Sequence, residues 1–325
     1  ISIIACPNGM GHFYRLIEIT KILSKKNKIY FFCSKKQIAK INYKINNVNF
    51  LPIFENKNIE EKKINFLINF YNKDLTKIKK INDSKIIISD NLLNKIYLKK
   101  KFILISNFFW GKNFKLNTKK YKIYQSLERK FLKKNAILQN KYFGHSYNYN
   151  FKKILINFTG KKYNNDYKQK KNKIFVYLRK KMNIFPLIKF LQTKYEIYSN
   201  NPSKKNNIKY FNLDKNLNEF VFLLGRPGFG IITDSVKFKV PLLSFLEKDA
   251  TKEMIVNNKL IKKYRIGIML NQNKKSINEV LNLDIKSSKY KKYINNLSKF
   301  KFNGEKDILN YVKKIWTQNI NYRPR

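Results

Sequence analysis

The chain has 325 residues, 43% hydrophobic and 15% aromatic, enough apolar material for one large or two ordinary cores and too much for intrinsic disorder. It carries 70 lysines and arginines against 20 acidic residues, a formal net charge of +50 that attracts polyanions, yet only seven of the basic residues are arginine. That shortage argues against specific nucleic-acid reading, which favours arginine, and the crowding of Lys, Asn, Ile, Tyr and Phe throughout reads as A/T-rich codon drift.

From the N-terminus, Ile1–Cys6 reads as a buried strand. Phe13–Lys26 has helical spacing through Leu16, Ile19 and Ile22–Leu23. Lys28–Cys33 is a second strand, with Ser34 as N-cap of the next helix, and Val48–Leu51 is a short third strand. Ile59–Lys80 is helical and basic. Its Phe66, Leu67, Ile68, Phe70 and Tyr71 make it an ordinary core-packed helix or, on a second reading, a dock for an anionic membrane. Lys85–Ser89 is a strand ending at Asp90, and Lys101–Ser106 is another that runs into Asn107-Phe108-Phe109-Trp110. Tyr121–Lys134 is helical and Ala136–Gln139 is a last strand of this set.

Thr159–Lys173 is polar and is the linker candidate. The alternation then restarts, with strands at Lys173–Leu178, Tyr195–Tyr198, Ile208–Phe211, Val221–Leu224, Val240–Phe245 and Ile266–Leu270. Helices fall at Asn183–Thr193, Phe229–Lys237, Glu253–Tyr264, Ser276–Leu281, Tyr290–Phe300 and Glu305–Trp316. Strand–helix alternation predicts an α/β protein with parallel sheets. The expected organisation is an N-terminal Rossmann-like domain over 1–160, a linker over 161–172, and a C-terminal Rossmann-like domain over 173–325. The last helix, about 305–317, returns to the first domain, and the two sheets face one interdomain cleft.

Cys6 and Cys33 each end an apolar run and read as buried hydrophobes, with no zinc-ligand spacing around them. No apolar run reaches the roughly 18 residues of a membrane span, and Ile1–Cys6 is too short for a signal peptide, so a cytoplasmic location is expected.

Five of the ten glycines fall in two clusters, Gly9-Met10-Gly11-His12 and Gly225-Arg226-Pro227-Gly228-Phe229-Gly230. Each joins a strand to a helix, where α/β folds hold phosphates on helix N-termini. The first is neither a dinucleotide fingerprint, since position 14 is Tyr, nor a Walker A loop. His12 would sit at a helix N-terminus, where the dipole disfavours its protonated form, so a neutral imidazole there can take a proton from a sugar hydroxyl. The plainer alternative is a histidine that only caps the helix. Arg15 follows one turn later. In the second cluster, amides at Gly228–Gly230 can hold a diphosphate, and Asp234 on the following helix can take both hydroxyls of a ribose.

Together these residues resemble the GT-B glycosyltransferases, in particular the family 28 cell-wall N-acetylglucosaminyltransferases and a related G-x-G-H-x-x-R group. The first motif is Gly9-Met10-Gly11-His12 with Arg15, and Ile88-Ser89-Asp90 is similar to a strand end of that group. The second is Arg226-Pro227-Gly228-Phe229-Gly230-Ile231-Ile232-Thr233-Asp234, followed by Val240-Pro241-Leu242-Leu243. Glu253-Met254-Ile255-Val256-Asn257-Asn258 occupies the place of a donor-sugar segment, and Ser106-Asn107-Phe108-Phe109-Trp110 looks like a segment of related domains. The chain departs from the pattern where the usual Glu is Asp234, where a Gln is Met254, and where a glycine-rich turn is Leu178-Arg179-Lys180-Lys181.

The resemblance implies transfer of a sugar from a UDP-linked donor, UDP-N-acetylglucosamine among the choices, inverting and without metal or cofactor. It makes His12 the base and puts Gly9, Gly11, Arg15 and Asp90 on the acceptor side. The donor side takes Arg179, Arg226, Gly228, Phe229, Gly230, Asp234, Glu253 and Asn257. The acceptor is a glycan, a lipid-linked molecule or a small molecule, and the basic surface allows peripheral association with anionic membrane. Three rivals stand beside it: a nucleotide-sugar 2-epimerase of the same fold, a non-catalytic basic protein binding nucleic acid or membrane, and a family member that binds donor without transfer.

Overall fold

The structure is a computed structural model. It describes residues 1–7, 10–41, 44–54, 63–98, 100–113, 118–145, 151–159, 172–178, 184–212, 216–248, 250–270 and 274–317. The expected linker falls outside these residues except for Asn172, as do Gly9 and Arg179. The chain divides into two compact units, one of residues 1–160 with 302–325, the other of residues 161–301.

The first unit runs β1 (Ser2–Ile4), α1 (Met10–Leu23), β2 (Ile29–Ser34), α2 (Lys35–Ile38), β3 (Val48–Phe54), α3 (Lys63–Asn72), α4 (Lys79–Asn82), β4 (Ile87–Asp90), β5 (Phe102–Ile105), α5 (Trp110–Asn113), α6 (Lys119–Lys134), β6 (Ile137–Asn140) and β7 (Lys153–Ile156). Its seven strands are parallel in the order β3-β2-β1-β4-β5-β6-β7. Helices cover both faces, so the strands are apolar on both sides. Ile4, Phe32, Ile87, Leu104 and Ile137 pack on one face; Ile3, Phe31, Ile88, Ile103 and Leu138 pack on the other.

The second unit runs β8 (Lys173–Val176), α7 (Phe185–Leu191), β9 (Glu196–Ser199), β10 (Lys209–Tyr210), β11 (Phe222–Gly225), α8 (Phe229–Phe238), β12 (Leu242–Phe245), α9 (Lys252–Tyr264), β13 (Gly267–Leu270), α10 (Lys274–Leu281) and α11 (Ser288–Ser298). Its sheet is parallel in the order β10-β9-β8-β11-β12-β13. The final helix, α12 (Gly304–Thr317), belongs to the first unit. Its Ile308, Val312 and Ile315, at i, i+4 and i+7, enter the same cluster as Leu16 and Leu23 of α1.

Several elements differ from expectation. The helix expected over Ile59–Lys80 breaks after Asn72, where Asp74 caps a 3-10 turn at Leu75–Lys77 before α4 begins. In α3, Leu67 and Phe70 are buried and Phe66, Ile68 and Tyr71 pack against the same cluster, so these side chains serve the core. The third strand runs on through Pro52 to Phe54, which an edge strand tolerates because its missing N–H breaks no ladder on the outer side. β7 was not expected. It is a four-residue edge strand, Lys-Ile-Leu-Ile, with Lys153 and Leu155 exposed, and it is short. Ser34 caps α2 as expected, in a reciprocal pair with Gln37. Among the described residues no helix is long and apolar enough to cross a membrane.

Candidate active site

In each sheet the strand order reverses once, between β1 and β4 and between β8 and β11. Open parallel sheets bind ligands beyond the carboxyl ends of the strands at such points. Both glycine clusters follow strands at these points, one after β1 and one at the end of β11.

In the first unit α1 begins at Met10, so Gly11 and His12 lie in its first turn and not in the loop before it. β1 and β4 pair with Ile4 opposite Ser89, which brings Asp90 beneath this turn. His12 Nδ1 is 3.0 Å from Asp90 Oδ1. Arg15 Nε donates to Asp90 Oδ2 at 2.8 Å, and a terminal guanidinium nitrogen of Arg15 donates to Oδ1. Asp90 is fully buried and Arg15 is 9% exposed. Burial alone would push the Asp90 carboxyl up, but charge interactions with Arg15 and then His12, and the hydrogen bonds from both, outweigh it and hold the group below the usual carboxylate range.

An ionised carboxylate only accepts, so His12 Nδ1 carries the hydrogen and, in the neutral ring, Nε2 carries the lone pair. The imidazole meets the Phe108 ring edge-on at 6.0 Å, and Phe108 meets Trp110 at 4.8 Å. The first turn of α1, the end of β4 and the segment after β5 thus supply a base, its orienting carboxylate and an apolar wall. The sequence marked Asp90 as an acceptor-side residue; its hydrogen bond to His12 spans 78 positions and leaves no local signal.

In the second unit Gly228 is the N-cap of α8 and supplies no side chain to the amides of the first turn. Its φ of −76° is ordinary. A Cβ built at Gly111, Gly144, Gly225, Gly267 or Gly304 would meet a neighbouring atom at 2.0 to 2.9 Å; one built at Gly228 meets nothing within 4 Å. Packing inside the protein therefore does not require this glycine. The chain also accepts Lys239 and Arg265 in the left-handed conformation after α8 and α9, where glycine is customary. A glycine kept at 228 leaves room for something outside the chain.

Other expected donor residues are engaged within the protein. Arg226 pairs with Glu247 at 2.9 Å and donates to Met254 Sδ at 3.1 Å, so its guanidinium has partners within its own unit. Asn257 is 1% exposed and donates to the Pro227 carbonyl at 2.8 Å, which makes it a brace for the glycine loop. Phe229 opens α8, Gly230 follows, and Glu253 lies in the first turn of α9.

Asp234, a turn and a half into α8, accepts a hydrogen bond from Tyr177 just beyond β8, at 2.8 Å to Oδ2. Burial pushes its carboxyl up to about 6, against the lowering effects of Tyr177 and Lys237. Tyr177 takes one acceptor position on Oδ2, and the carboxylate keeps acceptor capacity beyond it. Tyr177 was not marked in the sequence, where it is one aromatic among 21 tyrosines.

No protein-family profile matches the chain, and no curated protein matches it. Solved structures match nearly its whole length. A UDP-glucosyltransferase from Polygonum tinctorium capable of glucosylating indoxyl has a TM-score of 0.68 at 12% identity, covering 98% of each chain. UGT89C1 of Arabidopsis thaliana, complexed with UDP-L-rhamnose, has a TM-score of 0.65 at 11% identity, covering 97% of this chain and 98% of that one. The spinosyn rhamnosyltransferase SpnG, complexed with thymidine diphosphate, has a TM-score of 0.63 at 9% identity, covering 96% and 99%. The chain has the GT-B fold of these enzymes.

Proposed function

We propose that this chain is a glycosyltransferase that moves a sugar from a UDP-linked donor to a hydroxyl of an acceptor. The observation that carries the reading is the His12–Asp90 pair at the β1/β4 reversal of a GT-B fold. In the reaction His12 Nε2 takes the acceptor's hydroxyl proton as that oxygen attacks the anomeric carbon. The bond from that carbon to the phosphate oxygen breaks, and the electron pair leaves with the nucleoside diphosphate. Attack from the face opposite the leaving group inverts the centre. Asp90 fixes the ring and stabilises the imidazolium as it forms.

The departing diphosphate meets the N-terminus of α8 at Gly228, Phe229 and Gly230, where helix amides and the dipole favour negative charge. Asp234 offers its remaining acceptor capacity to the donor's pentose, and Glu253 lies on the donor-sugar side. The reaction is proposed to need neither metal nor cofactor, because fixed dipoles serve the leaving group and the sequence has no Asp-x-Asp motif. Retained activity in EDTA tests that point. The motif resemblance keeps UDP-N-acetylglucosamine among the donors and a glycan, lipid-linked molecule or small molecule as acceptor, in the cytoplasm or peripherally on an anionic membrane.

Donors are identified by melting the protein with UDP-, GDP- and dTDP-sugars in turn. A ligand at a hundred times its dissociation constant stabilises by about 2.7 kcal/mol, a clear rise in melting temperature. A UDP-sugar is expected to give that rise, and no response to any nucleotide sugar contradicts the reading.

A further inference from the structure

A base must be neutral before it can accept a proton. A buried carboxylate beside an imidazole works against this, because it favours the imidazolium. In this chain Asp90 does not face His12 alone. The Arg15 guanidinium takes both of its oxygens, and the two side chains form a buried pair of zero net charge. A terminal nitrogen of the same guanidinium lies 3.4 Å from His12 Nδ1, where it opposes a second positive charge.

The groups facing the imidazole are Asp90 from β4, Arg15 from α1 and the Phe108 ring from the loop after β5. The N-terminal dipole of α1 adds positive potential at the ring. His12 and Arg15 stand three positions apart on one helix, so both side chains reach the same strand end. Among the described residues that face the ring, only Asp90 favours its protonation, and Arg15 matches Asp90.

We infer that Arg15 is a positioning residue that keeps His12 neutral, with its lone pair on Nε2, by matching the charge of Asp90. This rests on His12 acting as the base of the proposed transfer. Arg15 itself touches neither donor nor acceptor in this role. Asp90 keeps the hydrogen bond that orients the ring, while its charge is balanced in the resting state. When the imidazolium forms, the carboxylate is still in contact with it.

The test uses the full chain, which has two histidines, His12 and His145, so imidazole nitrogen resonances can be followed by NMR through a pH titration. In Arg15→Gln the His12 ring takes up its proton at a higher pH than in the wild type. The acid limb of the pH–rate profile moves up by about one unit or more, the size expected when a neighbouring carboxylate loses its counter-charge. Turnover at pH 7 falls roughly tenfold or more and recovers at pH 9, while the donor KM is unchanged. Arg15→Lys restores the wild-type titration but not full turnover, because an ammonium supplies the charge without the two-pronged hold. Asp90→Asn moves the titration the opposite way.

An arginine that only braces the fold would lower activity equally at every pH and leave the titration in place. A folded Arg15→Gln protein whose His12 titrates as in the wild type overturns the inference. If that variant does not fold, an unmoved titration in Asp90→Asn overturns it instead. The NMR arm needs no donor, so absence of sugar transfer counts against the proposed function, while the role of Arg15 is decided by the titration alone.

Discussion

Asp90 at the end of β4 and Asp234 on α8 are both carboxylates, and their surroundings drive them in opposite directions. Asp90 has a guanidinium on both oxygens and is held ionised. Asp234 has a neutral phenol on one oxygen and is pushed up to about 6 by burial. A carboxyl whose folded value is raised costs stability once both states are ionised, and the cost fades as pH falls below that value. Asp234→Asn is therefore expected to melt above the wild type at pH 8, with the gap closing towards the ordinary carboxylate range near pH ~4. Melting curves across this range check it; a gap of equal size at every pH contradicts it. None of this was legible in the sequence, where Asp234 and Tyr177 stand 57 positions apart. Separation along the chain also hid the pairing of Arg226 with Glu247. His12 was legible because its neighbours on the chain are also its neighbours in the helix.

The elements were easier to read than the contacts. Strand-to-helix alternation showed both sheets, because each buried strand is a short apolar run and each helix repeats at 3.6 residues. Boundaries failed where a local cap or an edge decided them, at Asp74 after α3 and at β7. The element with the clearest job is the N-terminus of α8. Gly228 has open space where a side chain would go, so Gly228→Leu should fold with a melting temperature lower by only a few degrees, the cost of a poorer N-cap, and weaken UDP-sugar binding by tenfold or more. Calorimetric titration beside a melt separates the two effects; equal binding by the variant removes this loop from the donor site. α12 has the opposite role, since its Ile308 is fully buried against the first sheet. Ile308→Ala is expected to destabilise by about 2–5 kcal/mol, read from urea unfolding, with binding at the proposed donor site on α8 retained.

At the scale of the whole molecule, the net charge of +50 is spread over a chain that holds two ordinary α/β cores. Lysine replaces other residues even where it strains the backbone, as at Lys239. That pattern fits compositional drift and leaves the few glycines, arginines and histidines as the informative residues. Two of those rare residues, His12 and Arg15, meet at Asp90, and a third, Gly228, opens the helix in the second unit. Sugar transfer with His12 as the base is tested most directly by measuring nucleoside diphosphate release from a UDP-sugar against a panel of hydroxyl acceptors, for the wild type and for His12→Ala. The expected result is release by the wild type, a loss of roughly a thousandfold in the variant, and unchanged donor binding. Equal turnover by the two proteins would contradict it.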